Sequence, residues 1–266
     1  MHLKKQRKDA KVEAMDLNDD ELLRYSRQIM LPQIGIEGQQ KIYKSKVLLF
    51  GVGGLGSPVA MYLVASGIGE LTIVDPDTVD LTNLQRQILH STNDVGKEKV
   101  NSAKQTLVDI NPQTNVRTFN EILTGERLEE EIKRADVVVD ATDNFQSRFA
   151  INATCVKEKT ALVTGAAIRF EGQVSVFDMQ ESSACYQCLF PDIDSSQAEL
   201  EESCAETGIL GSVTGLIGSI QATEVIKLIA NVGQTLSNRL LLIDALNMEW
   251  HSVKIKKDPK CATCSS

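Results

Sequence analysis

The sequence predicts an α/β fold in which a doubly wound, mostly parallel sheet carries helices on both faces and continues into antiparallel strands. From residue 46 to residue 167, short apolar runs alternate with segments of helical periodicity. Such alternation is typical of a parallel sheet that is covered on both sides. Beyond residue 166, the apolar runs follow one another with a single long helical segment among them. This change of rhythm indicates strands that join the sheet as antiparallel neighbours.

The order of the elements follows from local periodicity and from the glycines that interrupt it. The charged, amphipathic segment 17–31 is expected to form one N-terminal helix. Further helices are expected at residues 57–67, 98–111, 125–135, 144–159 and 211–230. Strands are expected at residues 46–50, 70–75, 115–119, 136–142, 161–167, 172–178, 239–246 and 249–257. The acidic segment 191–203 has no periodicity and is expected to be a long mobile loop.

Length, charge and hydropathy limit the class of protein. The 266 residues carry a net charge of −8, which argues against a nucleic-acid partner because a general nucleic-acid binder needs a basic surface. The most apolar stretch, residues 208–230, is interrupted by charged residues, so we expect a core helix and no membrane partner. Residues 1–17 are basic but lack the apolar core of a signal peptide. We therefore expect a disordered basic tail on a cytoplasmic protein.

A glycine-rich turn lies between the first predicted strand and the helix after it. Gly51, Gly53 and Gly56 form the pattern G-x-G-x-x-G, and Asp75 ends the next strand 19 residues later. Glycines permit a tight turn and close approach of a phosphate, the helix N-terminus attracts the anion, and the acid can bind ribose hydroxyls. The turn predicts a Rossmann-like nucleotide site; the alternative is a turn whose glycines serve packing alone.

The residues that follow Asp75 favour ATP over a dinucleotide. They include Asn83, Arg86 and Lys99. The pyrophosphate of a dinucleotide is held largely by backbone amides, whereas a triphosphate needs added cations and a divalent ion. An NAD-dependent oxidoreductase would also need a catalytic proton donor and a nicotinamide pocket, for which the sequence offers no candidate. In the alternative interpretation, Arg86 and Lys99 belong to a solvated surface.

A magnesium ligand is expected where the predicted strand 136–142 ends. Asp140, Asp143 and Asn144 lie there, and the carboxyl ends of parallel strands are where ligands bind in open α/β sheets. Asp143 stands beyond the strand end and is the better carboxylate ligand for magnesium. Asn144 is a further candidate contact to the nucleotide. The alternative is that Asp143 caps the following helix.

The cysteines indicate a metal site. Four of the six form two C-x-x-C pairs separated by 72 residues, and four thiolates can close a tetrahedral, structural zinc site. A redox-active disulfide in either pair is the alternative. The four cysteines are Cys185, Cys188, Cys261 and Cys264. Cys155 is expected to be a small core residue, whereas Cys204 precedes a predicted helix whose N-terminus can lower the pKa of a thiol.

Seven motifs follow one another along residues 18–264 and together resemble the MoeB/ThiF/HesA family, relatives of the ubiquitin-activating enzymes. They read RYSRQI, GVGGLGSPVAMYLVASGIGELTIVDPD, NLQRQILH, DATDN, GAAIRFEGQVSVF, CYQCLFP and CATC. We expect a single adenylation domain over these residues. Its nucleotide-binding part is expected at 18–165, and its carrier-binding and zinc part at 166–264.

The resemblance implies ATP-dependent adenylation of the C-terminal glycine of a small ubiquitin-like sulfur carrier protein that ends in Gly-Gly. The matched nucleotide-binding residues are Gly51, Gly53, Gly54, Gly56, Asp75, Asn83, Arg86, Gln87, Lys99 and, for magnesium, Asp143. Arg27 resembles the arginine that this family reaches across a homodimer interface into the neighbouring ATP site. Arg27, Arg86 and Lys99 are expected to offset the charge on the departing pyrophosphate. A non-catalytic scaffold is disfavoured because all these residues are present.

Two branches of the family remain open for this chain. GAAIRFEGQVSVF resembles the branch that activates the molybdopterin-synthase carrier, whereas LTGERL and CLFPD also occur in relatives that act on the thiamin-pathway carrier. In the thiamin branch, the cysteine matched by Cys204 forms a covalent link with the carrier; in the molybdopterin branch it is dispensable. We favour the molybdopterin carrier. No rhodanese-like extension follows Cys264, so sulfur is expected from another protein.

Overall fold

The computed structural model describes residues 17–191 and 208–265, within which eight strands form one sheet. The strands are β1 (Lys46–Phe50), β2 (Glu70–Val74), β3 (Asn115–Phe119), β4 (Val137–Asp140), β5 (Ala161–Ile168), β6 (Glu171–Phe177), β7 (Arg239–Asp244) and β8 (Glu249–Lys254). The α-helices are α1 (Asp19–Arg24), α2 (Ser26–Ile29), α3 (Gly35–Lys44), α4 (Gly56–Ser66), α5 (Lys99–Ile110), α6 (Gly125–Arg134), α7 (Phe145–Glu158), α8 (Tyr186–Leu189) and α9 (Gly211–Ala230). Short 3-10 helices cover Leu81–Asn83 and Thr92–Asp94.

The strand order is β3-β2-β1-β4-β5-β6-β7-β8. The pairs among β3, β2, β1, β4 and β5 are parallel, and those among β5, β6, β7 and β8 are antiparallel. The predicted fold class is therefore confirmed, including the change of direction after residue 166. The chain reverses its progress across the sheet between β1 and β4, and open α/β sheets bind ligands in the crevice at such a point.

Two apolar clusters cover the two faces of the sheet, because successive residues of a buried strand point to opposite sides. In β1, Leu49 belongs to the cluster with α3, α4, α5 and α9, while Leu48 belongs to the cluster with α6 and α7. Each of these leucines exposes 1% of its surface or less. The sheet is therefore covered on both sides, as the apolar runs predict.

The N-terminal segment differs from its prediction. The single helix expected at 17–31 is broken at Tyr25 into α1 and α2. Tyr25 is buried, and its hydroxyl accepts a hydrogen bond from Asn111 at 2.8 Å, so a tertiary contact overrides helical continuity. Helix α3 is absent from the sequence-based prediction because Gly35 and Gly38 lower its helical propensity. Packing stabilises it instead, with Ile42 fully buried.

Helix α9 is long and apolar enough to cross a membrane by length and composition alone. In the fold it is a core helix, as the sequence predicts: Val213, Ile217 and Val225 are buried, and it contacts α3, α4, β5 and β6. Residues 1–16 of the predicted tail, most of the acidic segment and Cys204 lie outside the described residues.

Candidate nucleotide site and four-cysteine centre

The glycine turn joins β1 to α4 and has no room for side chains at two positions. Gly51 has a φ of +86°, and a Cβ there would lie 2.8 Å from the carbonyl oxygen of Ala141. A Cβ on Gly56 would overlap the carbonyl oxygen of Gly51. The turn is therefore tight enough to bring the N-terminus of α4 to the end of β1, where a phosphate is favoured.

Asp75 directly follows β2 and braces the glycine turn. Its carboxylate accepts hydrogen bonds from the backbone amides of Val52 and Asp77, each at 2.9 Å. Burial raises the pKa of Asp75, and the positive charge of Lys99 opposes that shift. Each carboxylate oxygen has a second lone pair, so Asp75 can accept a further hydrogen bond from a ligand hydroxyl.

His90 supports the same turn from the other side. Its Nδ1 lies 2.9 Å from Ser102 Oγ, and its Nε2 lies 3.1 Å from the carbonyl oxygen of Val52. A carbonyl can only accept, so Nε2 carries the proton and Nδ1 accepts from the serine hydroxyl. Burial lowers the pKa of His90, which keeps the ring neutral. The histidine therefore links the turn to α5 and is not poised as an acid.

The predicted cations lie beside the turn. Arg86 Nη2 donates to Asn83 Oδ1 at 3.0 Å. Lys99 is the first residue of α5, is almost fully buried, and places its ammonium 2.7 Å from Asp77 Oδ2. Gln87 faces Gly53, and its buried Oε1 has no hydrogen-bond partner within the described residues. Gln87 therefore borders the turn, Lys99 acts on it through Asp75, and Arg86 precedes Gln87 in the chain.

The end of β4 carries the predicted carboxylates. Asp140 is fully buried, and its Oδ1 accepts hydrogen bonds from the amide and hydroxyl of Thr142 at 2.9 and 2.6 Å. Asp143 is exposed. Asn144, not Asp143, caps α7, because its Oδ1 accepts from Ser147 N at 2.8 Å. The capping alternative for Asp143 is therefore wrong, and its role as a magnesium ligand stays a prediction.

Arg27 lies apart from the glycine turn of its own chain. It lies exposed on α2, and its neighbour Gln28 donates to the carbonyl oxygen of Ser66 at 3.3 Å. Ser66 is the last residue of α4, whose first residue, Gly56, belongs to the glycine turn. A helix of this length separates the two ends by roughly 15 Å. Arg27 therefore stands at the opposite end of α4 from the turn of its own chain.

The two cysteine pairs meet at α8, whose N-cap is Cys185 and which contains Cys188. The sulfur atoms of all four cysteines lie within 4.8 Å of one another, with Cys185 to Cys261 at 3.7 Å and Cys188 to Cys264 at 3.5 Å. A disulfide needs about 2 Å, whereas sulfurs around a tetrahedral zinc with bonds of about 2.3 Å stand about 3.8 Å apart. The donor set and its spacing fit a closed zinc site. Cys155 is fully buried in the core, as predicted.

The cysteine centre also has hydrogen-bond donors around it. Asn152 Nδ2 lies 3.7 Å from Cys185 Sγ, and its Oδ1 accepts from Tyr186 N at 2.9 Å. The amide of Asp258 donates to Cys188 Sγ at 3.4 Å. Donors of this kind orient thiolate ligands and stabilise their charge.

Three polar residues were missed by sequence reasoning: Gln221 and Arg148 are buried, whereas the side chain of Asp77 is 63% exposed. Asp77 pairs with Lys99. Gln221 Nε2 donates to the carbonyl oxygen of Asp140 at 2.9 Å. Arg148 contacts the carbonyl oxygens of Thr142 and Gly165. A signal for Arg148 does exist in the sequence. It lies three residues before Ile151 and seven before Cys155, on the same buried face of the helix, where an apolar residue is ordinarily found.

A glycine turn, flanking cations and exposed carboxylate at the carboxyl end of a doubly wound sheet define a nucleotide-binding α/β protein. The sequence profile of the ThiF family matches residues 25–263. The chain therefore belongs to the ThiF family.

Two relatives from Escherichia coli K12 match almost the whole chain. The sulfur carrier protein ThiS adenylyltransferase is 42% identical over 248 residues, which cover 93% of this chain and 97% of the relative. The molybdopterin-synthase adenylyltransferase is 41% identical over 249 residues, which cover 94% and 98%. Among solved structures, a crystal structure of E. coli MccB with ATP has a TM-score of 0.79 and 26% identity, covering 91% of this chain and 75% of that chain.

Proposed function

We propose that this protein uses ATP to adenylate the C-terminal carboxylate of a ubiquitin-like sulfur carrier protein that ends in Gly-Gly. The observation that carries the proposal is the grouping of Arg86, Lys99 and Asp143 around the glycine turn. Two cations suit the charge of a triphosphate, and a carboxylate suits its divalent ion. Both E. coli relatives are named adenylyltransferases, one for ThiS and one for molybdopterin synthase.

The competing oxidoreductase lacks support at this site. A dehydrogenase needs a proton donor next to the nicotinamide. Of the three histidines in the chain, His90 lies beside the glycine turn, but both of its ring nitrogens are engaged and the ring is buried. The solved relative that binds ATP supports a mononucleotide in this fold.

The proposed reaction needs no general base, because a carboxylate is already ionised at neutral pH. The carrier carboxylate attacks the α-phosphorus of ATP, a new oxygen–phosphorus bond forms, and the bond to the β-phosphate oxygen breaks. Pyrophosphate leaves with the electron pair. Arg86 and Lys99 hold the phosphates and offset the charge that develops on the leaving group.

Asp143 is the residue we assign to magnesium. It is exposed, and it lies in the segment whose Ala141 carbonyl touches Gly51 of the turn. A bound Mg²⁺ supplies further neutralisation of phosphate charge. Asp140 is unsuited to this role because it is fully buried and its Oδ1 is occupied by Thr142.

We assign zinc to the four cysteines and a structural role to that ion. All four tetrahedral positions are filled by Cys185, Cys188, Cys261 and Cys264, so no position remains for a substrate. Such reduced thiolates suit a reducing compartment, and we place the enzyme in the cytoplasm on that ground.

We propose that the working unit is a homodimer in which Arg27 enters the partner's ATP site. Arg27 stands at the far end of α4 from its own turn. The adjacent face of α2, α4 and α9 contains a cavity of about 290 Å³ lined by Gln28, Tyr62 and Thr223, among others. Tyr62 is 57% exposed and Leu216 is 38% exposed, which leaves apolar surface for a second subunit.

A mixing experiment tests the shared site. An Arg27→Ala subunit retains Asp143, and an Asp143→Asn subunit retains Arg27, so a heterodimer contains one complete site. Random mixing of two inactive variants should restore roughly a quarter of wild-type activity. If native mass spectrometry confirms heterodimers and activity is still not recovered, the proposal of a shared site is wrong.

The carrier is assigned to the molybdopterin type on the GAAIRFEGQVSVF segment, since the two relatives are equally similar to this chain. The test is ATP–pyrophosphate exchange with magnesium and two purified carriers, one of each pathway. Exchange with the molybdopterin carrier, abolished when its last glycine is removed, is expected. Exchange only with the thiamin carrier would move the assignment and make Cys204 the next residue to test. Exchange with neither would overturn carrier adenylation.

A further inference from the structure

Arg148 is a buried charge that the proposed chemistry does not use. It lies on α7, 7% exposed, on the same face as the core residues Ile151 and Cys155. Burying a guanidinium is costly unless its charge and its donors are satisfied. The contacts that satisfy it therefore indicate what the residue does.

Those contacts link the β4–α7 loop, residues 141–144, to β5 and α8. Nη2 of Arg148 donates to the carbonyl oxygens of Thr142 and, at 3.3 Å, of Gly165 on β5. Nη1 lies 3.5 Å from the Tyr186 hydroxyl. Burial lowers the pKa of Arg148, but the nearby Asp140 and Tyr186 raise it and the net shift is upward, so the guanidinium stays charged in the interior.

The two peptide units that flank the Thr142 Cα are thereby fixed. The amide and hydroxyl of Thr142 bond to Asp140, and the carbonyl of Thr142 bonds to Arg148. Asn144 then caps α7. Asp143 lies between these anchored residues and is the exposed member of the loop.

We propose that Arg148 is a positioning residue that sets the direction of the Asp143 carboxylate toward the magnesium ion of the nucleotide. The proposal rests on the function proposed above. Arg148 acts through the backbone of Thr142 and touches neither substrate nor metal. A lysine cannot replace it fully, because an ammonium lacks the planar fork whose one nitrogen bonds the carbonyl oxygens of Thr142 and Gly165 while the other lies near the Tyr186 hydroxyl.

The first test is ATP binding by calorimetry, with magnesium and with EDTA. In Arg148→Met we expect the contribution of magnesium to ATP affinity to fall about tenfold or more, as in losses of residues that orient metal ligands. ATP affinity in EDTA should stay within about twofold, because the glycine turn, Arg86 and Lys99 remain. Arg148→Lys should shift in the same direction by less, and it serves in place of Arg148→Met if that variant does not fold.

Arg117→Met is the matched control. Arg117 donates to Glu131 at 2.7 and 2.9 Å from β3, and its side chain is 25% exposed. Its loss should lower the melting temperature and leave the magnesium contribution unchanged. A merely structural Arg148 would behave in the same way, so a folded Arg148 variant with normal magnesium dependence would overturn the proposal.

A double variant gives the sharpest comparison. If Arg148 acts through Asp143, then Asp143→Asn combined with Arg148→Met should depend on magnesium as Asp143→Asn does alone. Additive losses would contradict the proposal. Because these measurements need no carrier, they remain informative if pyrophosphate exchange fails, and the two proposals can fail separately.

Discussion

The parallel and antiparallel parts of the sheet build their sites in opposite ways. In the parallel part, Asp75 and Asp140 stand at the ends of β2 and β4, so the hydrogen-bonded strands themselves set the positions of the functional groups. In the antiparallel part, the cysteines come from two segments outside the strands, more than 70 residues apart. The backbone organises the first site, whereas the second would be completed by the metal ion proposed for it.

The two sites also differ in how the charges of their side chains are neutralised. In the nucleotide site, Lys99 pairs with Asp77, and Asp140 lies near Arg148. Lys99 and Arg148, the two buried cations, thus each have a carboxylate nearby. Four cysteine thiolates within 4.8 Å have no cationic side chain in their ligand set and would repel one another without a metal. The nucleotide site is therefore expected to survive loss of zinc, while the cysteine centre is not.

The largest expected effect is a loss of stability at the cysteine centre that leaves the nucleotide site intact. Cys261→Ser removes one zinc ligand and should destabilise the protein by about 3–5 kcal/mol, comparable with loss of a native disulfide. We expect metal analysis to show loss of zinc and urea unfolding to show an early transition. ATP binding should persist below that transition. Simultaneous loss of ATP binding would mean that the two parts are not separable.

The second-largest expected effect concerns the rate of the proposed reaction at the nucleotide site, in the parallel part of the sheet. Lys99→Met should slow pyrophosphate exchange by about 10² to 10³, comparable with the loss of a preorganised oxyanion donor. Lys97→Met is the matched control, because Lys97 is two residues away, is 58% exposed and pairs with Asp94. Equal losses in the two variants would show that general surface charge, and not the buried ammonium, supports the reaction.

A smaller effect is expected from the glycine turn. In Gly56→Ala the new Cβ meets the carbonyl of Gly51, and strain of about 1–3 kcal/mol should weaken ATP binding about 10- to 100-fold with zinc content unchanged. Gly215→Ala on α9 is the control, since its Cβ would have nothing within 4 Å. Calorimetry measures both. Unchanged affinity in Gly56→Ala would show that the turn tolerates displacement.

The smallest effect concerns pH. Burial lowers the pKa of His90 below its unfolded value, so protonation favours the unfolded chain. The contribution of His90 is complete above pH about 6.5 and declines as pH falls from there toward its folded pKa. His90→Gln keeps a donor toward Val52 and should lose less stability between pH 7.5 and 5.5 than the wild type does. Equal pH dependence in urea unfolding would contradict this assignment.

The regular part of the fold was predictable because local signals agree with tertiary structure there. Apolar runs that end at glycines, as at Gly51, mark buried strands. The break at Tyr25 was not predictable, since it depends on a hydrogen bond to Asn111, which lies 86 residues away. Helix α3 was missed for a similar reason, because packing of Ile42 outweighs two glycines.

The candidate sites likewise contain residues that local sequence patterns predict and residues that only tertiary contacts reveal. Cysteine spacing and the glycine pattern carry their chemistry in short motifs, so the four ligands and the nucleotide turn could be proposed in advance. Arg148 could not be assigned a role from the sequence. Its role depends on hydrogen bonds to the carbonyl oxygens of Thr142 and Gly165, and no local pattern indicates that these two carbonyls lie close together. The location of Arg27 at the remote end of α4 likewise required the structure.

The order of events during synthesis follows from the position of the cysteine pairs. Cys261 and Cys264 come after β8, the last strand of the sheet. A ribosome therefore releases the second half of the ligand set only after every strand has been made. Local β-hairpins such as β7–β8 form within microseconds, far faster than translation at about 5–20 residues per second. Zinc at the proposed site could thus close it only after the strands that the structure describes have all been synthesised.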